Sequence, residues 1–185
     1  METQIAKVTA VEDSVSKTKI IKLDKKLDFK PGQWIYVFVE KWGFKIKKPY
    51  SLASLLNENI ELLVEDVGYV SNKLCSLKPG DELEISDVFG VFTIEGDAKN
   101  IVSVAFDTGI APFRSIIQQV LGNHANVHLI YISEKDEMIY EDYFENLEKK
   151  NKNFTLTKAI DIKKEDFAER LKTSLKAIRK IDAVY

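Results

Sequence analysis

The hydrophobic pattern of this chain changes period once, and that change constrains the fold more than any other feature. Up to about residue 94 the apolar residues recur in short runs with the two-residue period of strands. Beyond residue 100, short apolar runs alternate with stretches of helical period.

In the first part, Ile5, Val8 and Ala10 lie in one strand-like stretch and Ile21 with Leu23 in a second. Trp34-Ile35-Tyr36-Val37-Phe38-Val39 is β-branched and aromatic throughout and fits a buried strand. Leu62-Leu63-Val64, Leu83-Glu84-Ile85 and Val91-Phe92-Thr93-Ile94 continue the series. Pro31-Gly32, Asn57-Glu58-Asn59 and Pro79-Gly80-Asp81 supply the turns between them. Short strands at this spacing predict a small antiparallel barrel or sandwich.

In the second part, Ile101 to Ala105 reads as a strand. Phe113, Ile116, Ile117, Val120 and Leu121 then mark one helix face, with Pro112 suited to its first turn and Gly122 to its end. Val127 to Ile132 is the next strand, and Tyr140, Tyr143, Phe144 and Leu147 the next helix face. Phe154-Thr155-Leu156, then Phe167, Leu171, Leu175 and Ile178, repeat the alternation, and Ala183-Val184-Tyr185 begins a further strand. That order predicts a parallel sheet with helices on its faces. The expected architecture is therefore two-domain: an antiparallel β-barrel over residues 1–96, then a parallel α/β Rossmann-like domain over 97–185. The junction falls near Gly96-Asp97-Ala98-Lys99-Asn100. The second domain reads as truncated, because the sequence ends at Tyr185 just as a strand starts.

Composition narrows the function. A net charge of -2 argues against a nucleic-acid binder. The lysines at 41, 45, 47 and 48 form a local exception: either a solvated loop or a patch facing phosphates or an acidic partner. Cys75 is the only cysteine, which excludes an internal disulfide and a cysteine-ligated iron–sulfur cluster within the chain. Met1 to Ala10 is too polar for a signal peptide, and no apolar run approaches the roughly 20 residues that span a bilayer. These features predict a cytoplasmic protein with no membrane span.

Three segments carry chemistry. Lys48-Pro49-Tyr50-Ser51 puts a cation, an aromatic ring and a hydroxyl on one extended stretch, since Pro49 biases Lys48 away from helix. Alternation places Lys48 and Tyr50 on one face and Ser51 on the other unless the strand bends. A flavin needs such a set: a cation for phosphate, a ring against the isoalloxazine and a polar group at its redox-active nitrogen. An ordinary strand end has the same composition. Gly68-Tyr69-Val70-Ser71 precedes a short helical run, with Gly68 allowing close backbone approach and Ser71 suited to cap the helix. An ordinary capped loop reads the same way, and Cys75 beyond it reads as a small buried hydrophobe. Asp107-Thr108-Gly109-Ile110-Ala111-Pro112-Phe113-Arg114 joins a strand to a helix, where an α/β sheet binds nucleotides.

Taken in order, these segments resemble the ferredoxin–NADP reductase-like flavoenzyme family over nearly the whole chain. Phe29-Lys30-Pro31-Gly32-Gln33-Trp34 resembles the turn before the flavin-facing strand. Lys48-Pro49-Tyr50-Ser51 resembles the Arg-x-Tyr-Ser/Thr flavin motif and Gly68-x-x-Ser71 the pyrophosphate motif. Lys78-Pro79-Gly80-Asp81 and Phe89-Gly90-Val91-Phe92 resemble the last barrel strands. Thr108 to Phe113 resembles the nicotinamide-nucleotide loop, and Asp136 to Phe144 the acidic-aromatic helix that follows the next strand.

The resemblance implies bound FAD, with FMN as an alternative, and NAD(P)H as co-substrate. It places Tyr50 on the isoalloxazine, Ser51 at N5 as the catalytic hydroxyl, Lys48 and Ser71 on the phosphates, and Thr108-Gly109 at the nicotinamide nucleotide. Pro49, Tyr69 and Val70 complete the cofactor-binding set. It implies electron passage between NAD(P)H and an acceptor protein or small acceptor. The rival is an electron-transfer module that keeps the flavin but relies on a partner protein. Oligomeric state is not legible.

Departures from the family pattern bear on that rival. Lys48 stands where the family has Arg, which removes the bidentate fork. Phe106 and Asp107 stand where the family has glycines, predicting bulk and, unless Asp107 turns away, negative charge against the nucleotide. A Cys-Gly-Pro segment that the family places after the last strand is not in the sequence. Ile160-Asp161-Ile162 itself carries no basic residue, which is read as favouring NAD over NADP.

Overall fold

The computed structural model describes residues 2–94, 98–176 and 183–184. The domain boundary expected at Gly96 and Asp97, the helix-face residue Ile178 and the terminal Tyr185 lie outside the described residues.

The first sheet is antiparallel throughout. Its strands are β1 (Thr3–Asp13), β2 (Thr18–Leu23), β3 (Trp34–Lys41), β4 (Phe44–Ser51), β5 (Glu61–Glu65) and β6 (Glu82–Phe89), in the order β4-β3-β6-β1-β2-β5. The sheet curls until its two edges meet at a bridge between Leu52 and Leu62. Inside, Ala6, Val8, Ile21, Leu23, Ile35, Val37, Leu62 and Ile85 form an apolar core. A short helix, α1 (Tyr69–Cys75), closes one end with Val70 and Leu74 buried.

The first strand does not present Ile5, Val8 and Ala10 together. Ala6 and Val8 point inward, Ile5 points out, and a bulge lies between Val8 and Ala10. One extra residue flips the alternation, as bulges do. Val91 to Ile94 also departs from expectation: these residues form no strand. Gly90, at φ +110°, turns the chain away from the sheet. The Phe92 ring then packs edge-on against Phe113 at 5.9 Å, and its carbonyl covers Gly32 so closely that a Cβ there would lie 1.8 Å from the oxygen.

The second sheet is parallel, with strands β7 (Asn100–Phe106), β8 (Asn126–Ile132), β9 (Phe154–Ala159) and β10 (Ala183–Val184) in the order β10-β7-β8-β9. Helices α2 (Phe113–Gly122) and α3 (Glu141–Lys150) cover one face, and α4 (Phe167–Lys176) covers the other. β8 is buried on both sides: Leu129 and Tyr131 face α2 and α3, while Ile130 and Ile132 face α4. Tyr140 does not sit within its helix. It precedes α3 with a left-handed φ of 59°, and Tyr143, Phe144 and Leu147 carry the apolar face.

The two sheets share a core. Val15, Ala53 and Leu63 from the first half pack in one cluster with Ile110, Ala111 and Ile116 of the second.

Candidate functional site

A cleft of about 830 Å³ opens at this seam. All ten residues singled out in the sequence line it: Lys48, Pro49, Tyr50, Ser51, Gly68, Tyr69, Val70, Ser71, Thr108 and Gly109. They come from three places: the end of β4, the start of α1, and the turn after β7. Strand curl and the parallel sheet's carboxyl end bring these together from distant parts of the chain.

The first wall is β4. The lysine cluster is not a loop but a hairpin, since β3 and β4 pair in continuous register from Trp34↔Ser51 to Lys41↔Phe44. Trp42 and Gly43 form the two-residue turn with φ of 53° and 77°, the left-handed geometry that matches strand twist. Lys45 pairs with Glu84 at 2.7 Å, and Lys47 lies 4.1 Å from the Tyr36 ring centre. Lys41 sits over both Trp42 and Tyr69, 4.5 Å from each ring centre. Of the cluster, Lys41 and Lys48 line the cleft. Ile46, Lys48 and Tyr50 share one face of β4 by alternation, as expected. Ser51 also reaches the cleft because it is the last residue of the strand, where the chain bends into Leu52. Burial pushes the Tyr50 phenol up to about 12, so the ring is neutral at physiological pH.

The second wall is the turn into α1. Ser71 is not the N-cap. Gly68 holds that position and Ser71 is the third residue of the helix. The Ser71 hydroxyl accepts hydrogen bonds from the amides of Val67 (3.0 Å) and Gly68 (2.9 Å) and donates to the Gly68 carbonyl (3.0 Å). Its hydrogen-bonding capacity is spent on the turn, so Ser71 shapes the backbone rather than offering a free hydroxyl. The amides of the first helical turn have no intrahelical partner. Tyr69 is tied to the hairpin by its hydroxyl, which donates to the Glu40 carbonyl at 3.0 Å.

The third wall follows β7, where Asp107–Ile110 forms a 3-10 turn. Here the structure corrects two expectations. The Phe106 ring turns away and packs edge-on against Phe167 at 5.8 Å. Asp107 is buried and accepts a 2.6 Å hydrogen bond from the Ser133 hydroxyl. Neither side chain lines the cleft. Asp107 adopts φ 45°, a left-handed conformation that Asp tolerates better than most residues. The glycine-like backbone is therefore present without the glycine. A Cβ on Gly109 or on Gly68 would meet nothing within 4 Å, so both backbones face open cleft.

Sequence reasoning missed several cleft residues. Leu63 and Glu65 alternate to the seam side of β5, opposite Leu62 and Val64, and Val67 leads into the α1 turn. Glu65 pairs with Lys135 across the seam at 2.8 Å. The period of β5 held the signal for Leu63 and Glu65, but nothing in the sequence pointed β5 at this cleft. A second, smaller cleft of about 510 Å³ lies beyond β9. It is lined by Asp161, Ile162, Glu165, Asp166 and Glu169, and also by Lys163 and Arg170. Basic residues therefore do stand near Asp161, contrary to the sequence expectation: Lys163 follows Ile162 directly in the chain, and α4 adds Arg170. Among the described residues no cluster suited to a metal ion is present, and no helix is long and apolar enough to cross a membrane.

A fit to flavin and nicotinamide groups is supported by this geometry: a neutral half-buried ring, a cation, the start of a helix and two open glycine backbones share one cleft. Comparison with known proteins agrees. Residues 3–94 match the oxidoreductase FAD-binding domain family and residues 104–181 the oxidoreductase NAD-binding domain family. The chain is 33% identical over 110 residues to the cyanelle ferredoxin–NADP reductase of Cyanophora paradoxa, covering 54% of this chain and 30% of that protein. It is 31% identical over 138 residues to one component of the Na(+)-translocating NADH-quinone reductase of Mannheimia succiniciproducens, covering 65% of this chain and 34% of that component. The chain thus spans about a third of the length of these relatives. A ferredoxin–NADP+ reductase from Neisseria gonorrhoeae, solved with bound FAD and NADP, superposes with a TM-score of 0.84 at 18% identity, covering 100% of this chain and 83% of that one.

Proposed function

This chain belongs to the ferredoxin–NADP reductase-like family of FAD- and NAD(P)-binding oxidoreductases, and we propose that it passes electrons between NAD(P)H and an acceptor through FAD held in the seam cleft. One observation carries the reading: the Tyr50–Ser51 wall and the Thr108–Gly109 wall face the same cleft, so a flavin on one and a nicotinamide on the other are neighbours.

The flavin, when bound, supplies the exchange between two-electron and one-electron chemistry. The chain's own residues bind and orient. Tyr50 offers a neutral ring for stacking, and Ser51 a hydroxyl at the strand end for the reactive edge of the ring system. Lys48 and the first-turn amides of α1 meet phosphate charge, with Ser71 holding that turn in shape. Lys48 is a point charge rather than a fork, so the amides carry more of the phosphate hold than an Arg at this position would require. Thr108 and Gly109 present hydroxyl and backbone to the nicotinamide nucleotide. Asp107 keeps its carboxylate on Ser133 and away from that nucleotide.

The orientation of Phe106 and Asp107 removes the main ground for a flavin module without a nicotinamide site. The acceptor we infer is an electron carrier or partner protein, in keeping with the ferredoxin and quinone in the relatives' names. The lone Cys75 suits a reducing compartment, and a cytoplasmic location belongs to the same proposal.

The test is a visible absorption spectrum, followed by NADH or NADPH under anaerobic conditions. Flavin bands that bleach on addition of either nucleotide support the reading. A protein that takes up no FAD overturns it, and bands that bleach with dithionite alone overturn the nicotinamide half. Tyr50→Ala is expected to weaken FAD retention at least tenfold, while Tyr50→Phe keeps it, as gel filtration with absorbance of the bound fraction will read.

A further inference from the structure

We propose that Arg114 is a positioning residue that sets the gap between the two walls of the cleft. The inference rests on the function proposed above, since that gap is where the exchange takes place.

Arg114 is the second residue of α2 and follows the Thr108–Phe113 loop directly. The loop is tied to the helix start, with the Ala111 amide donating to the Thr108 carbonyl at 3.1 Å and the Ile116 amide to the Pro112 carbonyl at 3.3 Å. The guanidinium therefore moves with Thr108 and Gly109. It reaches across the seam, where Nη1 donates to the Ala53 carbonyl at 3.0 Å and to the Glu61 carboxylate. Ala53 lies two residues beyond Ser51. Its own amide donates to the Glu61 carbonyl at 2.9 Å, and the Leu52 amide to the Gln33 carbonyl at 3.0 Å, so the segment is fixed to the first sheet on both sides. One side chain thus links the two walls through groups that are rigid on each side.

The surroundings hold the link in one geometry. The guanidinium lies 4.3 Å from the Tyr140 ring centre and 4.9 Å from that of Tyr143. The Tyr140 hydroxyl donates to the same Glu61 oxygen at 2.6 Å. The Arg114 and Glu61 side chains are only 11% and 13% exposed, so water competes little for these bonds. The apolar packing of the seam determines that the halves meet, but apolar contact is non-directional and tolerates sliding. A planar guanidinium packed between two rings, with Nη1 shared between a carbonyl and a carboxylate and Nε left without a partner, is directional. Reaction across a cleft is sensitive to displacements of about 1 Å, which cost on the order of a hundredfold in rate.

The experiment uses the full chain loaded with FAD, as wild type, Arg114→Met and Arg114→Lys. Spin labels at exposed positions on α1 and α3 (Lys73→Cys and Asn146→Cys, with Cys75→Ser) report the distance across the seam by pulsed electron resonance. Rapid mixing with NADH or NADPH reports flavin reduction. The expected result is a broadened or shifted distance distribution in Arg114→Met and a partial return in Arg114→Lys. FAD content is expected to stay unchanged. Reduction at saturating nucleotide should fall at least tenfold in Arg114→Met, with nucleotide affinity changed less than about threefold, the pattern of a lost geometry rather than a lost contact. Should Arg114→Met not fold, Arg114→Lys decides, because it keeps the charge and loses the flat guanidinium that packs on the Tyr140 and Tyr143 rings. An unchanged distance distribution in the folded variants, or an unchanged reduction rate, overturns the proposal. A wild type that neither nucleotide reduces defeats the proposed function instead, and the distance measurement alone then judges Arg114.

Discussion

The edge strand β4 and the central strand β8 are similar in length and opposite in environment. β4 reads Phe-Lys-Ile-Lys-Lys-Pro-Tyr-Ser and is largely exposed. β8 reads Asn-Val-His-Leu-Ile-Tyr-Ile and is buried from Val127 onward except at His128. A strand covered on both faces by helices can carry little but apolar residues, so β8 holds the sheet together and has no polar group to spare. A sheet edge can carry cations and tolerate proline, because its outer amides have no ladder partner to lose. The polar groups of the cleft accordingly come from an edge and from element ends: β4, the start of α1, and the turn after β7. The proposed function thus occupies places where the fold has least to gain from burial. The Arg114–Glu61 pair departs from this, as Asp107 does: it is charged and nearly buried, and it belongs to neither strand.

That contrast breaks most visibly at the pair. Glu61→Ala leaves a buried guanidinium without its carboxylate and is expected to cost roughly 3–5 kcal/mol in urea unfolding. Replacing both partners by methionine is expected to lie much closer to wild type, because an apolar pair needs no desolvation of charge. A double variant as unstable as Glu61→Ala would show that the seam depends on packing shape rather than on charge.

A smaller effect separates two glycines. Gly32 combines φ +94° with the Phe92 carbonyl in the place of a Cβ, so Gly32→Ala is expected to cost roughly 2–4 kcal/mol. Gly43, at the exposed hairpin tip, has φ +77° and nothing within 4 Å, so Gly43→Ala is expected to cost about 1–2 kcal/mol from backbone conformation alone. Equal losses in thermal unfolding would mean that the Phe92 crossing segment yields easily.

The smallest effect concerns β8 itself. Desolvation holds the His128 pKa below its ordinary 6.5, with Glu148 acting weakly the other way. Its ring nitrogen Nε2 lies 2.7 Å from the Thr157 hydroxyl. Because the unfolded chain takes up this proton more readily than the folded one, stability is lost as pH falls below about 6.5 and stops falling below the depressed folded value. His128→Gln is expected to flatten this part of the melting temperature profile. An unchanged slope would place the effect on the carboxylates instead.

Local signals were legible where one segment carries its own reason for a shape. The helix face of Phe113, Ile116, Ile117 and Val120 appeared as read, and so did the run of β7 and β8. The ten cleft residues were legible because their order matched a known pattern, not because any spacing showed a cleft. The first half of the lysine-rich strand, before Lys48, was not legible as a strand, since an edge with two exposed faces has no apolar alternation to reveal it. Ser71 was misread as the cap, because a serine that caps and a serine that reaches back from the third helical position look alike in sequence.

What the sequence determined by itself is the alternation of periods, and with it one antiparallel half and one parallel half. Those depend on interactions within a few residues and on which faces must leave water. What only the tertiary structure decided is direction: that Phe106 turns to Phe167, that Asp107 turns to Ser133, and that Arg114 meets Glu61 across 53 residues of chain. A side chain at a junction has several neighbours within reach, and its choice depends on partners that sequence distance does not reveal.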